Sequence, residues 1–152
     1  MAVDPTLIVA EELNEARASL KAATAQRHHH EVRGLLLEIR LLEEALSELV
    51  PTTTKGAGAL LRVAASGLAW TEPDYACLAL AIAERLEAGE RNLPDLVRLR
   101  TLTFILERRG TVQAARTVQL LKSVVAGAAR PVIAYRSNRK PRSNIESGTR
   151  AG

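Results

Sequence analysis

The sequence predicts an all-α fold: a long N-terminal helix or helical hairpin, then about four shorter helices in a bundle, then a flexible basic C-terminal tail. Three observations predict it. Apolar residues recur at steps of three and four, the helical period, through most of the first 130 positions. Cap and stop residues, such as Asp-Pro, Thr-Glu-Pro-Asp, Asn-Leu-Pro-Asp and late glycines, punctuate those runs. No stretch alternates apolar and polar with enough β-branched residues to build a sheet.

The first helix starts at Asp4-Pro5, an N-cap followed by proline at the first helical position. From Pro5 to Val50 there is no further proline, and Gly34 is the only glycine. Leu13, Ala16, Leu20 and Ala23 form one apolar series. Val32, Leu35 with Leu36, Ile39, Leu42, Leu46 and Leu49 form another, out of heptad phase with the first. Either the helix breaks between Gln26 and Gly34, or one continuous helix of roughly 68 Å changes the face it buries and projects as an arm or half of a dimer seam. Leu13, Leu20, Val32, Ile39, Leu42, Leu46 and Leu49 are the expected partner-helix face.

Pro51 stops this helix, and Thr52-Thr53-Thr54 supplies the cap of a short helix over about 54–66, closed by Ser66-Gly67. Leu68-Ala69-Trp70 reads as an apolar connector. Thr71-Glu72-Pro73-Asp74 restarts a helix with Thr71 as cap, and it runs to Ala88 with Gly89 as the stop. Asn92-Leu93-Pro94-Asp95 repeats this pattern for a helix ending at Arg108-Arg109-Gly110. Thr111 caps a last helix to about Ala129, ended by Pro131. Residues 1–130 form a single helical domain, with 5–50 as long helix or hairpin and 51–130 as bundle; 131–152 is the tail. Many helix faces are Ala-rich. They permit close approach but bury little area each, so self-association would add stability.

Charge is divided unevenly. Of 21 basic and 17 acidic side chains, residues 130–152 hold six and one, which leaves fifteen and sixteen for residues 1–129. The basicity belongs to the tail, and the body is near neutral. The start of the chain has no basic region before an apolar run, and no apolar stretch approaches the ~20 residues of a spanning helix. A cytoplasmic protein with no membrane partner is the expectation, and the lone Cys77 agrees with it.

Residues with chemical potential are few. His28, His29 and His30 are about 100° apart on a helix and cannot converge on one metal. Only His28 with Glu31 forms a candidate ligand pair, and a polar interruption between the two apolar series is the plainer reading. Cys77 lies in an apolar helix and reads as a buried structural thiol. Lys55-Gly56-Ala57-Gly58 has the wrong order for a phosphate-binding loop and reads as a capping turn, although amides at a helix start can hold an anion. Arg27–Glu31 and Glu87–Arg91 have the spacing of i, i+4 ion pairs. No nucleophile–base pair assembles, so no catalytic residue, cofactor or enzymatic activity is expected.

Two stretches resemble known families. Leu99-Arg100-Thr101 with Glu107-Arg108-Arg109-Gly110-Thr111-Val112-Gln113-Ala114-Ala115-Arg116 resembles the opening of a LysR-type helix-turn-helix, which implies duplex recognition. The likeness ends after Ala115, where Val118–Ala129 reads as unbroken helix instead of a turn and a recognition helix. Glu44-Ala45-Leu46 with Pro51-Thr52-Thr53-Thr54-Lys55-Gly56-Ala57-Gly58-Ala59-Leu60-Leu61 is similar to a Pro-x-Thr-Thr-x-x-Gly-x-x-Ala element of small all-helical alphaproteobacterial proteins. That resemblance implies the architecture and a bacterial setting, and no activity.

The sequence therefore points to a non-enzymatic protein that self-associates or binds a protein partner through its long N-terminal helix. The alternative is a nucleic-acid-binding regulator. It would use Arg136, Arg139, Lys140 and Arg142 of the tail with the arginines at 98, 100, 108, 109 and 116.

Overall fold

The computed structural model describes residues 3–129, and among these it contains six helices and no strand. They are α1 (Pro5–Ala25), α2 (His29–Glu48), α3 (Thr54–Leu68), α4 (Pro73–Glu87), α5 (Leu93–Glu107) and α6, which covers 112–129. No helix is long and apolar enough to cross a membrane among the described residues.

Local chemistry explains most boundaries. Asp4 caps α1, its Oδ1 accepting from the Thr6 amide at 3.0 Å, and Pro5 opens the first turn. Thr53 Oγ1 accepts from the Gly56 amide at 2.9 Å, Asn92 Oδ1 from the Asp95 amide at 2.9 Å, and Thr111 Oγ1 from the Ala114 amide at 3.0 Å. Gly89 adopts φ +87, and the amides of Gly89 and Glu90 bond back to the Leu86 and Arg85 carbonyls, which closes α4.

Two expected boundaries move. The third helix does not stop at Ser66-Gly67 but continues to Leu68, because Gly67 stays helical beneath Thr117 of α6. Thr71 does not cap α4. The cap position is Glu72, which makes no side-chain cap bond and instead accepts from Arg109 Nε at 3.0 Å.

The N-terminal segment is a hairpin. The chain leaves α1 through bonds from the Arg27 amide to Thr24 O and from the His28 amide to Ala23 O, with Arg27 at φ +58. This is a Schellman stop with arginine where glycine is usual. Because α2 returns beside α1, Leu13 and Leu46 become fully buried and Ile39 nearly so, with Leu20 and Leu42 packed at the edge of the same core.

α3 occupies the centre, with nine buried positions: Gly56, Ala57, Gly58, Leu60, Leu61, Val63, Ala64, Ala65 and Leu68. It packs against α1 on one side and α4 on the other. The small residues set the distance: a Cβ on Gly58 would lie 2.9 Å from the Ala83 carbonyl of α4. α6 closes the bundle over α3, and a Cβ on Gly127 would lie 2.7 Å from the Pro51 carbonyl. Each fully buried leucine contributes roughly 2 kcal/mol, so the leucines supply the stability and the alanines and glycines the close approach.

Asp4 fixes the register between hairpin and bundle. Its Oδ2 accepts from the Thr52 amide at 3.1 Å, the Thr53 amide at 3.0 Å and Thr53 Oγ1 at 2.7 Å. The starts of α1 and α3 are therefore level. α1 has 21 residues and α3 has 15, so the hairpin tip extends about 9 Å past the end of α3. Burial agrees, since beyond Leu20 only Ala23 is buried until Ile39.

Candidate interaction surface

The face expected to meet a partner helix is the face that closes the hairpin. Leu13, Ile39 and Leu46 are buried in the chain's own core, and Leu20, Val32, Leu42 and Leu49 are half-buried beside it. The turn at Gln26–His28 lets each series cover the other. What remains open is the opposite side of α2. There Leu37 and Leu41 are 58% and 57% exposed, and Leu36, on the flank, is 52% exposed. Leu36, expected with Leu35 in the second apolar series, falls outside it, because Leu35 takes the inward position. Leu37 and Leu41 fall between the positions of that series; the step from Leu37 to Leu41 was the available signal.

Charged residues surround these leucines. Arg33 lies toward the start of α2, Glu38 and Arg40 on either side of its middle, and Glu44 and Glu48 toward its end, and all are exposed. No ion pair engages any of them among the described residues. Glu43, on the flank, takes Arg17 of α1 at 3.4 Å. A groove of about 380 Å³ runs beside this face between α2 and α6, with Arg40, Glu43 and Ser47 on one wall and Val112, Arg116 and Leu120 on the other. Gln119 Nε2 donates to the Ser47 carbonyl at 3.3 Å and closes one end.

The other candidates separate. His28 Nδ1 lies 3.3 Å from Glu31 Oε2, so the expected i, i+3 pair forms, on the exposed hairpin tip. It engages Glu31 in place of the expected Arg27–Glu31 pair, because Arg27 sits in the left-handed turn outside the helix. Among the described residues no three His, Cys, Asp or Glu side chains gather where a metal ion would sit. Cys77 is exposed, not buried, because Ala76 and Ala79 carry the inward face of α4. Glu87 does not pair with Arg91 one turn on. Its carboxylate takes both Nε and Nη2 of Arg62 on α3 at 2.7 Å, a two-point contact that sets the α3–α4 approach.

The amides that hold an anion here are those of Thr52 and Thr53, just before α3 and not those of Lys55–Gly58, and the anion is the chain's own: the carboxylate of Asp4. A Cβ on Gly56 would collide with Asp4 Oδ2, so glycine keeps that seat open.

A second acid, Asp95, is 3% exposed at the start of α5. Arg85 donates to it twice at 2.8 Å, Arg98 at 2.9 Å and Asn92 Nδ2 at 3.0 Å. The Arg85 hydrogen bond, aided by Asn92 and Arg98, holds the Asp95 carboxyl below its ordinary range against the opposing effect of burial.

These pairings also bear on the arginines named for nucleic acid. Arg98 is bound to Asp95, Arg109 to Glu72, and Arg108 stacks 5.0 Å from the Phe104 ring centre. Arg100 and Arg116 remain exposed on separate helices. α6 runs without a break from 112 to 129, so the LysR-like stretch enters a single helix, and among the described residues no separate recognition helix follows Ala115. Arg136, Arg139, Lys140 and Arg142 lie outside the described residues.

No family model, no curated protein and no solved structure matches the chain.

Proposed function

We propose that this protein is a non-enzymatic helical protein that acts by self-association through its N-terminal hairpin. One observation carries the reading: once the hairpin has closed on its own apolar series, α2 still presents Leu36, Leu37 and Leu41 to solvent beside charges that no ion pair engages among the described residues. Scattered single apolar residues are ordinary on a surface, whereas neighbouring ones rimmed by charge mark contact sites. The bacterial cytoplasmic setting, drawn from the resemblance at Pro51–Leu61 and the charge pattern, belongs to the same proposal. The nucleic-acid reading has less support, because the arginines within the bundle are largely committed to Asp95, Glu72 and Phe104.

Light scattering after size exclusion tests this over a dilution series from high to low micromolar. The expected result is an apparent mass above 16.5 kDa that falls on dilution. A single species at the mass of one chain throughout overturns it.

A further inference from the structure

We infer that α2 pairs with α2 of a second copy, antiparallel, across a twofold axis that passes between Leu37 and Leu41. This rests on the self-association reading above and goes further by naming the face, the occupant and the direction.

The argument starts from the helix surface. Gly34, Leu37, Leu41, Glu44 and Glu48 follow one another at steps of three and four, so they form one stripe. Arg33 and Arg40 flank it. Arg33 lies beside its start, the leucines hold its middle and Glu44 and Glu48 its end, while Arg40 and Glu38 stand on either side of the middle. A parallel pair would set Arg33 against Arg33 and Glu48 against Glu48. An antiparallel pair that places Leu37 opposite Leu41 of the second copy brings Arg33 between Glu44 and Glu48 of that copy, and does so at both ends. A sequence of charge that complements its own reversal is what an isologous contact requires. The leucines supply affinity, and the charges at the rim fix direction and register.

Gly34 is the independent observation. A glycine inside an exposed helix weakens that helix, and among the described residues nothing lies within 4 Å of where its Cβ would be. The fold of one copy therefore gives it no packing role, unlike Gly56, Gly58 and Gly127, each of which meets a close neighbour. In the antiparallel pair Gly34 lies opposite Glu44 of the second copy, where a missing side chain lets the backbones approach. α2 is 20 residues long, about 30 Å, and one helix strip is narrow against the ~800 Å² per partner of a standard interface. The exposed Val112 and the α2–α6 groove border the strip and widen the contact.

Sedimentation of the full chain and of exposed-residue variants tests this, with far-UV circular dichroism as the check on folding. Leu37→Glu with Leu41→Glu is expected to raise the dissociation constant about a hundredfold or more, with unchanged helix content. Arg33→Glu, and separately Glu44→Arg with Glu48→Arg, are each expected to weaken the dimer about tenfold. The combination of all three is expected to restore it, because reversed charges still complement each other in an antiparallel pair. A chain that associates equally well with both leucines replaced overturns this seam while self-association stands. Charge variants that leave the dimer unchanged, or a combined variant that does not recover, overturn the antiparallel direction. A wild-type chain that is monomeric throughout overturns both readings.

Discussion

Asp4 grips Thr53 at two atoms, its Oδ2 accepting from the Thr53 amide at 3.0 Å and from the Thr53 hydroxyl at 2.7 Å. One carboxylate thus caps α1, anchors the cap residue of α3 and joins segments 49 positions apart. Asp4→Ala removes a cap and leaves the Thr52 and Thr53 amides without their acceptor. The expected cost is about 2–3 kcal/mol in urea unfolding. A loss below that of an ordinary cap would mean that the link between hairpin and bundle adds nothing.

Gly58 faces fixed backbone. Alanine there gains about 1 kcal/mol of helix propensity, but its Cβ meets the Ala83 carbonyl at 2.9 Å and Glu87 Cγ at 2.7 Å. Overpacking against a backbone carbonyl costs about 1–3 kcal/mol, so it outweighs the propensity gain and Gly58→Ala is expected to lower stability. A raised melting temperature would contradict the close α3–α4 approach.

Arg27 holds the left-handed position that ends α1. That conformation costs a residue with a side chain about 1–2 kcal/mol, and glycine gives back about 0.5–1 kcal/mol through its freedom in the unfolded chain. Arg27→Gly is therefore expected to stabilise by about 0.5–1 kcal/mol, read as a shift in the urea midpoint at constant slope. An unchanged or lowered midpoint would contradict the strained turn.

The Asp95 cluster sets an acid dependence. The folded carboxyl titrates below its ordinary range, while the unfolded one titrates near about 3.9. The contribution is then fully present above the unfolded value and is lost as pH falls through the lower folded one. Asp95→Asn is expected to cost about 1–2 kcal/mol at pH 7 and the same at pH 5, with the gap from wild type closing below about pH 4. A gap that stays constant to pH 2.5 would assign the loss to packing and not to charge.

How far the fold was legible depended on how local its causes are. Asn92, Thr53, Thr111 and Gly89 act within a turn of their own position, and those boundaries follow from residue type. The break in the N-terminal segment was legible only as an interval. Gly34, the glycine at the edge of that interval, stays helical, while Arg27, a poor left-handed residue, makes the turn because α1 and α2 gain more by packing than the turn costs. Partners fixed by tertiary contact were not legible. Glu87 has Arg91 one turn away and takes Arg62 from α3. Cys77 sits in an apolar run, yet the run wraps the helix and the thiol falls outside. The candidate surface was hidden for the same reason, since its leucines stand out only after the stronger stripe has been spent on the hairpin.

Trp70, the only tryptophan, is 92% exposed in the link between α3 and α4. Its indole is already in water in the native state, so unfolding changes its surroundings little. Intrinsic fluorescence will stay almost dark to denaturation while the far-UV helix signal collapses. The same residue becomes a clean optical reporter for anything that settles on that end of the molecule, because a blue shift can then arise only from a new neighbour.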